Sequence, residues 1–450
     1  MTAARPLEGM RIVELSSYVA VPLCGLTLAQ LGAEVIRVEP MGGANDRSRW
    51  PIAPAGASLY WTGLNLGKQA IEVDLNRSAG QQLVADLVCA DGLAGGILIS
   101  NSEQYSVLSY EALALQRSDV IHVQLQGRRD GGTSVDYLAQ AATGVPAITG
   151  HPYADGSSSR PVNQVLPAWD IATGLYLVSG LLAADRHRLL TGEGQSVRVA
   201  LEDVAFSTVS TLGYFAEAHL NGVDRSQIGN DVYGSLGRDL LAGDGARFMV
   251  VVLTPRHWSD LLTMTGLADA MGRLEWDLSA DFSCESDRFI NRDAIFEQLE
   301  PWFTTRTANE VEDGLSRTKV LWKRYRSFRE IVSNDAAQLR ADPLFLEIDQ
   351  PGVGSLVAAK TPLRLAGAHS APAVAPGVGQ HTRDVLRDIL DLDAQAIAGL
   401  VSEGVIRADE RPAVAPTWPR AEPDVGSVVG ARPGRHPAPH QQVGVSHDHV

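Results

Sequence analysis

The segment Val165-Leu166-Pro167-Ala168-Trp169-Asp170-Ile171-Ala172-Thr173-Gly174 sets one carboxylate where an extended run turns into the strongest helical pattern of the chain. An aspartate so placed has two compatible readings. It can bond the first free N–H groups of the helix as an N-cap, which position alone favours. Held rigidly there, with its anion favoured by the helix dipole, it is also a poor general base near neutral pH but an always-ionised nucleophile toward an activated acyl group. Other reactive residue types offer less. Cys24, Cys89 and Cys284 are too few and too scattered for a disulfide framework or a zinc site, and they suit a reducing cytosol. His436, His440, His447 and His449 lie in a proline-rich stretch that lacks the framework a metal centre needs, so the metal expectation is none. His257, beside Trp258, reads as structural.

The elements that must position Asp170 follow from hydrophobic periodicity. Met10 to Leu15, Glu34 to Glu39, Ala70 to Leu75, Gly96 to Ser100 and Val120 to Leu125 read as buried strands. Helical patterns at Pro22 to Leu31 and Ser78 to Val88 alternate with them, and Ile171 to Leu190 forms the central helix. Strands alternating with helices predict an α/β fold with a large doubly wound, parallel, Rossmann-like sheet. Such sheets bind ligands at the carboxyl ends of their strands. A dinucleotide site would show G-x-G-x-x-G directly after the first strand, but Ser16 to Pro22 contains no glycine. A second block, with Arg247 to Leu253 as a strand and helices at Arg292 to Phe303 and Ala308 to Ser316, predicts a smaller α+β domain. The expected division is residues 1–215 for the large domain, 222–340 for the small one, 341–405 for a return to the large domain, and 408–450 for a disordered tail rich in Pro and His. Thr382 to Leu390 reads as a late helix.

Charge and hydropathy exclude several classes of partner. A formal charge of -15 argues against nucleic acid, whose phosphates need clustered Lys and Arg. No apolar run approaches the ~18 residues that would span a bilayer, and Met1 to Gly9 has no apolar signal-like core. A cytoplasmic protein with no membrane partner is expected.

Several fragments, in order, resemble one family. They are Pro6-Leu7-Glu8-Gly9-Met10-Arg11-Ile12-Val13-Glu14-Leu15, Leu31-Gly32-Ala33-Glu34-Val35-Ile36-Arg37-Val38-Glu39-Pro40, Asn65-Leu66-Gly67-Lys68, Ile71-Glu72-Val73-Asp74-Leu75, Thr191-Gly192-Glu193-Gly194-Gln195 and Pro376-Gly377-Val378-Gly379-Gln380-His381-Thr382. Together with Asn101 and Asp170 they are similar to the class III CoA-transferase family, which includes formyl-CoA transferase, the carnitine CoA-transferases and the α-methylacyl-CoA racemases. The similarity extends over about residues 5–400.

The resemblance implies that Asp170 is the catalytic aspartate, that Val19, Ala20, Lys68 and Asn101 bind CoA, and that two chains interlock as a homodimer. Lys68, on a loop before a strand, suits a phosphate or pantetheine contact. The partner implied is a small-molecule acyl-CoA, with no cofactor beyond its CoA moiety. The racemases carry a histidine where this chain has Thr133, and proton abstraction next to a thioester needs a base on each face, which disfavours racemisation. Gly127-Arg128-Arg129-Asp130-Gly131-Gly132 and Tyr233-Gly234-Ser235-Leu236-Gly237-Arg238-Asp239 resemble a subgroup that moves CoA between the two carboxylates of an unsaturated C4/C5 dicarboxylate. Arg128, Arg129 and Arg238 are then candidates to hold the free carboxylate, which a planar guanidinium matches. The expected intermediates are an aspartyl anhydride and an aspartyl-CoA thioester, with helix N–H groups after Asp170 stabilising oxyanions. Transfer to a separate carboxylate acceptor is the alternative.

Overall fold

The computed structural model describes residues 5–408 except 93, 94, 103, 154, 156, 334, 335 and 366–372. The Pro/His-rich tail lies outside the described residues beyond 408. Six parallel strands build the main sheet: β1 (Arg11–Leu15), β2 (Glu34–Glu39), β3 (Gln69–Val73), β4 (Ile97–Ser100), β5 (Ile121–Gln126) and β6 (Gln195–Ala200). Their spatial order is β3-β2-β1-β4-β5-β6, and a closing strand, Ile406–Arg407, pairs antiparallel with β3. The near-continuous apolar runs form here because helices cover both faces, as parallel strands require. Ile12 and Val13 on β1 are at most 1% exposed although their side chains point to opposite faces.

One face is covered by the Ala20–Gln30 helix and the central helix, Ala168–Thr191, whose Leu177, Val178 and Leu181 meet Ile12, Val35 and Ile99. The other carries the Ser78–Cys89 and Thr382–Leu390 helices, with Val84, Leu87, Val385 and Leu386 against Ile36 and Val38. Each such side chain, removed from water, contributes roughly 1.5–3 kcal/mol. The sheet order reverses between β1 and β4, so the carboxyl ends of these two strands flank the crevice in which doubly wound folds bind ligands.

A second core surrounds an antiparallel three-stranded sheet, β7 (Leu236–Leu241), β8 (Arg247–Val252) and β9 (Leu321–Arg324). Phe248, Phe282, Phe296 and Phe303 fill it, and helices at Arg292–Thr304 and Ala308–Ser316 wrap it. A hairpin of β10 (Phe345–Gln350) and β11 (Gly354–Ala359) follows. No helix among the described residues is long and apolar enough to cross a membrane.

The central helix begins three residues before the predicted start. Pro167 stands at its N-cap position, Asp170 is its third residue, and Gly192 stops it with φ of +77°. Asp170 is therefore in the first turn and is not the capping residue.

Candidate active site

A different aspartate caps the central helix. Asp136, on the Asp136–Ala142 helix, is 2% exposed, and its carboxylate accepts the backbone N–H of Trp169 at 2.8 Å and of Asp170 at 3.1 Å. Ile171 N–H donates to Pro167 O at 3.0 Å. The N–H groups expected to stabilise oxyanions are thus already engaged. Because its backbone is capped from outside, the Asp170 side chain is left over. Half-buried, it accepts no hydrogen bond from any described residue.

Burial and the neighbouring Asp136 charge push the Asp170 carboxyl up to about 6, with Arg49 opposing them. The expectation that the helix dipole keeps this group unconditionally ionised is therefore corrected. Desolvation and a like charge outweigh the dipole, so Asp170 is an anion at neutral pH and becomes neutral in mild acid. Tyr60 stands close enough to interact with it electrostatically. Its phenol is pushed up to about 12, chiefly by burial, and so keeps its proton as a donor.

The first helix and the central helix touch closely at Gly174, one turn after Asp170. A Cβ on Gly174 would lie 2.8 Å from Ala20 O and 3.2 Å from Leu23 Cδ2. Val19 and Ala20, both buried, form the N-terminus of that helix, and no side chain caps it. Its first N–H groups therefore have no side-chain acceptor. Asn101, at the carboxyl end of β4, donates from Nδ2 to Ser17 O at 3.1 Å and ties the two sides of the switch-point crevice together.

Beneath the crevice lies an ion cluster that periodicity gave no sign of. Arg37, fully buried on β2, donates to Glu14 Oε1 at 3.1 Å and to both Asp46 oxygens at 3.2 and 3.0 Å, and approaches Glu39 at 3.4 Å. Arg47 pairs with Glu39 at 2.8 Å and stacks 3.5 Å from the Trp61 ring centroid. Asp46 also accepts the Tyr18 N–H at 2.9 Å, holding Tyr18 at φ of +67°. The cluster thereby fixes both the Tyr18 turn and the loop that leads to Arg49. Charged residues within apolar strands, Glu14, Arg37 and Glu39, were the available signal.

Lys68 belongs to this cluster and is buried, not at the surface as a CoA phosphate contact was expected to be. Its side chain is 0% exposed, and its ammonium lies 2.8 Å from Glu14 Oε2, 2.8 Å from Pro22 O and 3.0 Å from Asn65 Oδ1. Burial pushes its pKa down to about 8, with Glu14 opposing. The loop carries the lysine inward because Gly25 leaves room for Glu14, whose Oε2 would be 1.8 Å from a Cβ there.

The three arginines assigned to a substrate carboxylate are already paired within the protein. Arg128 meets Asp130 at 2.7 Å, and Arg129, 83% exposed, meets Asp203 at 2.8 Å. Arg238, on β7, pairs with Asp231 at 2.6 Å and with Asp293. The cation that acts on Asp170 is Arg49, which the sequence did not single out.

A cavity of about 190 Å³ lies between the residue after Asn101 and the β5–β6 edge, lined by Ser102, Tyr105, His122, Gln124 and Arg198 among others. None of its lining residues surrounds Asp170. Among the described residues no cluster of three or more His, Cys, Asp or Glu side chains is placed to hold a metal ion.

This arrangement agrees with comparisons to known proteins. The chain is 43% identical over 409 residues to the 2-methylfumaryl-CoA isomerase of Chloroflexus aurantiacus, covering 90% of this chain and 99% of that one. It is 27% identical to the succinyl-CoA:mesaconate CoA-transferase of Haloarcula hispanica, over 84% and 95% of the two chains. A CaiB/BaiF family protein from Brucella suis shares the fold with a TM-score of 0.70 at 24% identity, over 85% of this chain and 99% of its own. The profile of CoA-transferase family III matches residues 7–382. A doubly wound sheet, a switch-point crevice and an unpartnered carboxylate at the central helix start therefore belong to an enzyme of CoA-transferase family III.

Proposed function

We propose that the protein moves CoA between the two carboxylates of one unsaturated dicarboxylate, converting 2-methylfumaryl-CoA to 3-methylfumaryl-CoA. The observation that carries the reading is the Asp170 carboxylate: half-buried, without a hydrogen bond among the described residues, and one helical turn before the contact of Gly174 with Ala20 at the uncapped start of the first helix. The 43% identity to a 2-methylfumaryl-CoA isomerase supports the choice of substrate.

An Asp170 oxygen attacks the thioester carbonyl carbon; the new C–O bond forms as the C–S bond breaks, and CoA leaves as thiolate. The thiolate then attacks the aspartyl carbonyl of the mixed anhydride, giving an aspartyl-CoA thioester and the free diacid. The other carboxylate of the retained diacid attacks that thioester and again expels thiolate, which attacks the diacid carbonyl and restores Asp170. No proton or electron is gained or lost, so the chemistry needs nothing beyond the CoA moiety of the substrate. Free N–H groups at Val19 and Ala20 and the protonated Tyr60 are the donors available to the developing oxyanions.

The active unit in this reading is an interlocked homodimer. Val165 and Leu166, directly before the central helix, are 92% and 63% exposed, and Leu175, Tyr176, Leu189 and Leu190 on it are exposed as well. Apolar surface of that kind is stable when a second chain covers it.

The test is incubation with 2-methylfumaryl-CoA alone, with hydroxylamine added during turnover. Isomerised ester without any acceptor, and a hydroxamate on Asp170 by mass spectrometry, are expected. Incorporation of an added isotope-labelled diacid into the product would instead indicate transfer to a separate acceptor, the activity named for the Haloarcula hispanica relative.

A further inference from the structure

Arg49 is an arginine without an anion. It is exposed on the loop after β2, and among the described residues it makes no ion pair. Its guanidinium carbon lies 5.3 Å from the Tyr18 ring centroid and 4.8 Å from that of Tyr60. Contact with aromatic faces uses the π face of a guanidinium and leaves its in-plane N–H donors free for a carboxylate.

The loop that carries it is fixed. Asp46 is held by Arg37 and by Tyr18 N–H, and Arg47 is held by Glu39 and Trp61. The Arg49 charge reaches both Asp170 and Tyr60 without closing an ion pair on Asp170. Among the described residues no ion pair or hydrogen bond joins Arg49 to Asp170, so each keeps its charge for a ligand. A gap thus separates the proposed nucleophile from a rigidly presented, unsatisfied carboxylate receptor. Arg128, Arg129 and Arg238 have their own carboxylates to satisfy.

We propose that Arg49, oriented by Tyr18 and Tyr60, receives the free carboxylate of a dicarboxylic acyl-CoA and so selects diacid thioesters over monoacid ones. This rests on the reading of Asp170 as the acyl-accepting residue. It assigns specificity to the β2 loop rather than to the β5 loop or to β7. A fixed anion receptor beside the nucleophile also retains the free diacid while CoA resides on the enzyme, which transfer within one molecule demands.

The experiment uses equilibrium binding, so that its outcome does not depend on turnover. Dissociation constants of 2-methylfumaryl-CoA and of 2-methylcrotonyl-CoA, in which a methyl replaces the free carboxylate, are measured by calorimetry on the full chain carrying Asp170→Asn. Adding Arg49→Gln should weaken the diacid ester about 10–100-fold, the worth of a charge-assisted bidentate contact, and leave the monoacid ester unchanged. Arg49→Lys should restore part of the difference. Equal weakening of both esters, as a CoA phosphate contact would give, overturns the proposal, and so does no weakening of either. Failure of the Asp170 reading shows separately, as absence of the Asp170 hydroxamate in the otherwise unaltered enzyme.

Discussion

The Asp136 carboxylate accepts the backbone N–H of Asp170 at 3.1 Å while its charge repels the Asp170 side chain. One buried residue thus fixes the position of the proposed nucleophile and adds to the effect of burial in raising the pH at which it ionises.

Turnover should follow that ionisation. Burial and the Asp136 charge push the Asp170 carboxyl up to about 6, above the usual carboxylate range, and only the anion attacks a thioester. Activity is then full above this value and falls as pH drops through it. Asp136→Asn keeps a hydrogen-bond acceptor but removes the charge, so the acid limb of kcat/KM against pH should move to lower pH. The same raised pKa means that folding favours protonated Asp170: its stabilising contribution is complete below the unfolded value and is lost as pH rises through about 6. Asp170→Asn should therefore lower kcat by roughly 10³-fold or more without lowering the melting temperature at pH 7.

Lys68 distinguishes a structural from a ligand-binding lysine. Lys68→Met leaves Glu14 Oε2 without its buried cation, Arg37 holding only Oε1, and should cost about 3 kcal/mol by denaturant unfolding. KM for the CoA ester should not change in the folded protein. A raised KM at unchanged stability would return Lys68 to the CoA site.

Gly174→Ala places a methyl 2.8 Å from Ala20 O and must push the central helix from the first one. A loss of about 1–3 kcal/mol is expected, as for overpacking, together with a fall in kcat because Asp170 rides on the displaced turn. Gly399→Ala, where no atom lies within 4 Å of the added carbon, is the control and should be neutral or stabilising.

Arg128→Ala and Arg129→Ala each remove an exposed ion pair and should shift stability by less than about 1 kcal/mol. Substrate KM should be unaltered in both. A large rise in KM for the diacid ester in either variant would restore the β5 loop as the carboxylate site.

Much of the framework is legible in the sequence because it depends on local pattern. Glu34–Glu39, Ala308–Ser316 and Thr382–Leu390 coincide with their predicted spans, and β1, β4 and β5 agree within one residue at either end. The less apolar edge strand β6 and the short Asp136–Ala142 helix carry weaker periodicity and were not anticipated. Motif singled out Asp170 and Asn101 as candidates but gave nothing of the electrostatics around them. Asp136 and Asp170 are 34 residues apart, and their contact is created by packing. Lys68 misled because lysine is seldom buried, whereas here Glu14 compensates it. Arg49 carries no sequence signal beyond lying after β2; its lack of a partner is visible only in three dimensions.

The cluster beneath the crevice sets three carboxylates, Glu14, Glu39 and Asp46, against three cations, Arg37, Arg47 and Lys68. Losing one of them unbalances charge in a largely buried region, so natural drift at these six positions favours compensating double exchanges. A directed-evolution library that randomises them singly would return many destabilised clones, whereas Arg49, two residues beyond Arg47 on the same loop, carries no such ion pair for the fold, so exchanging it would alter which acid is taken without unbalancing the cluster.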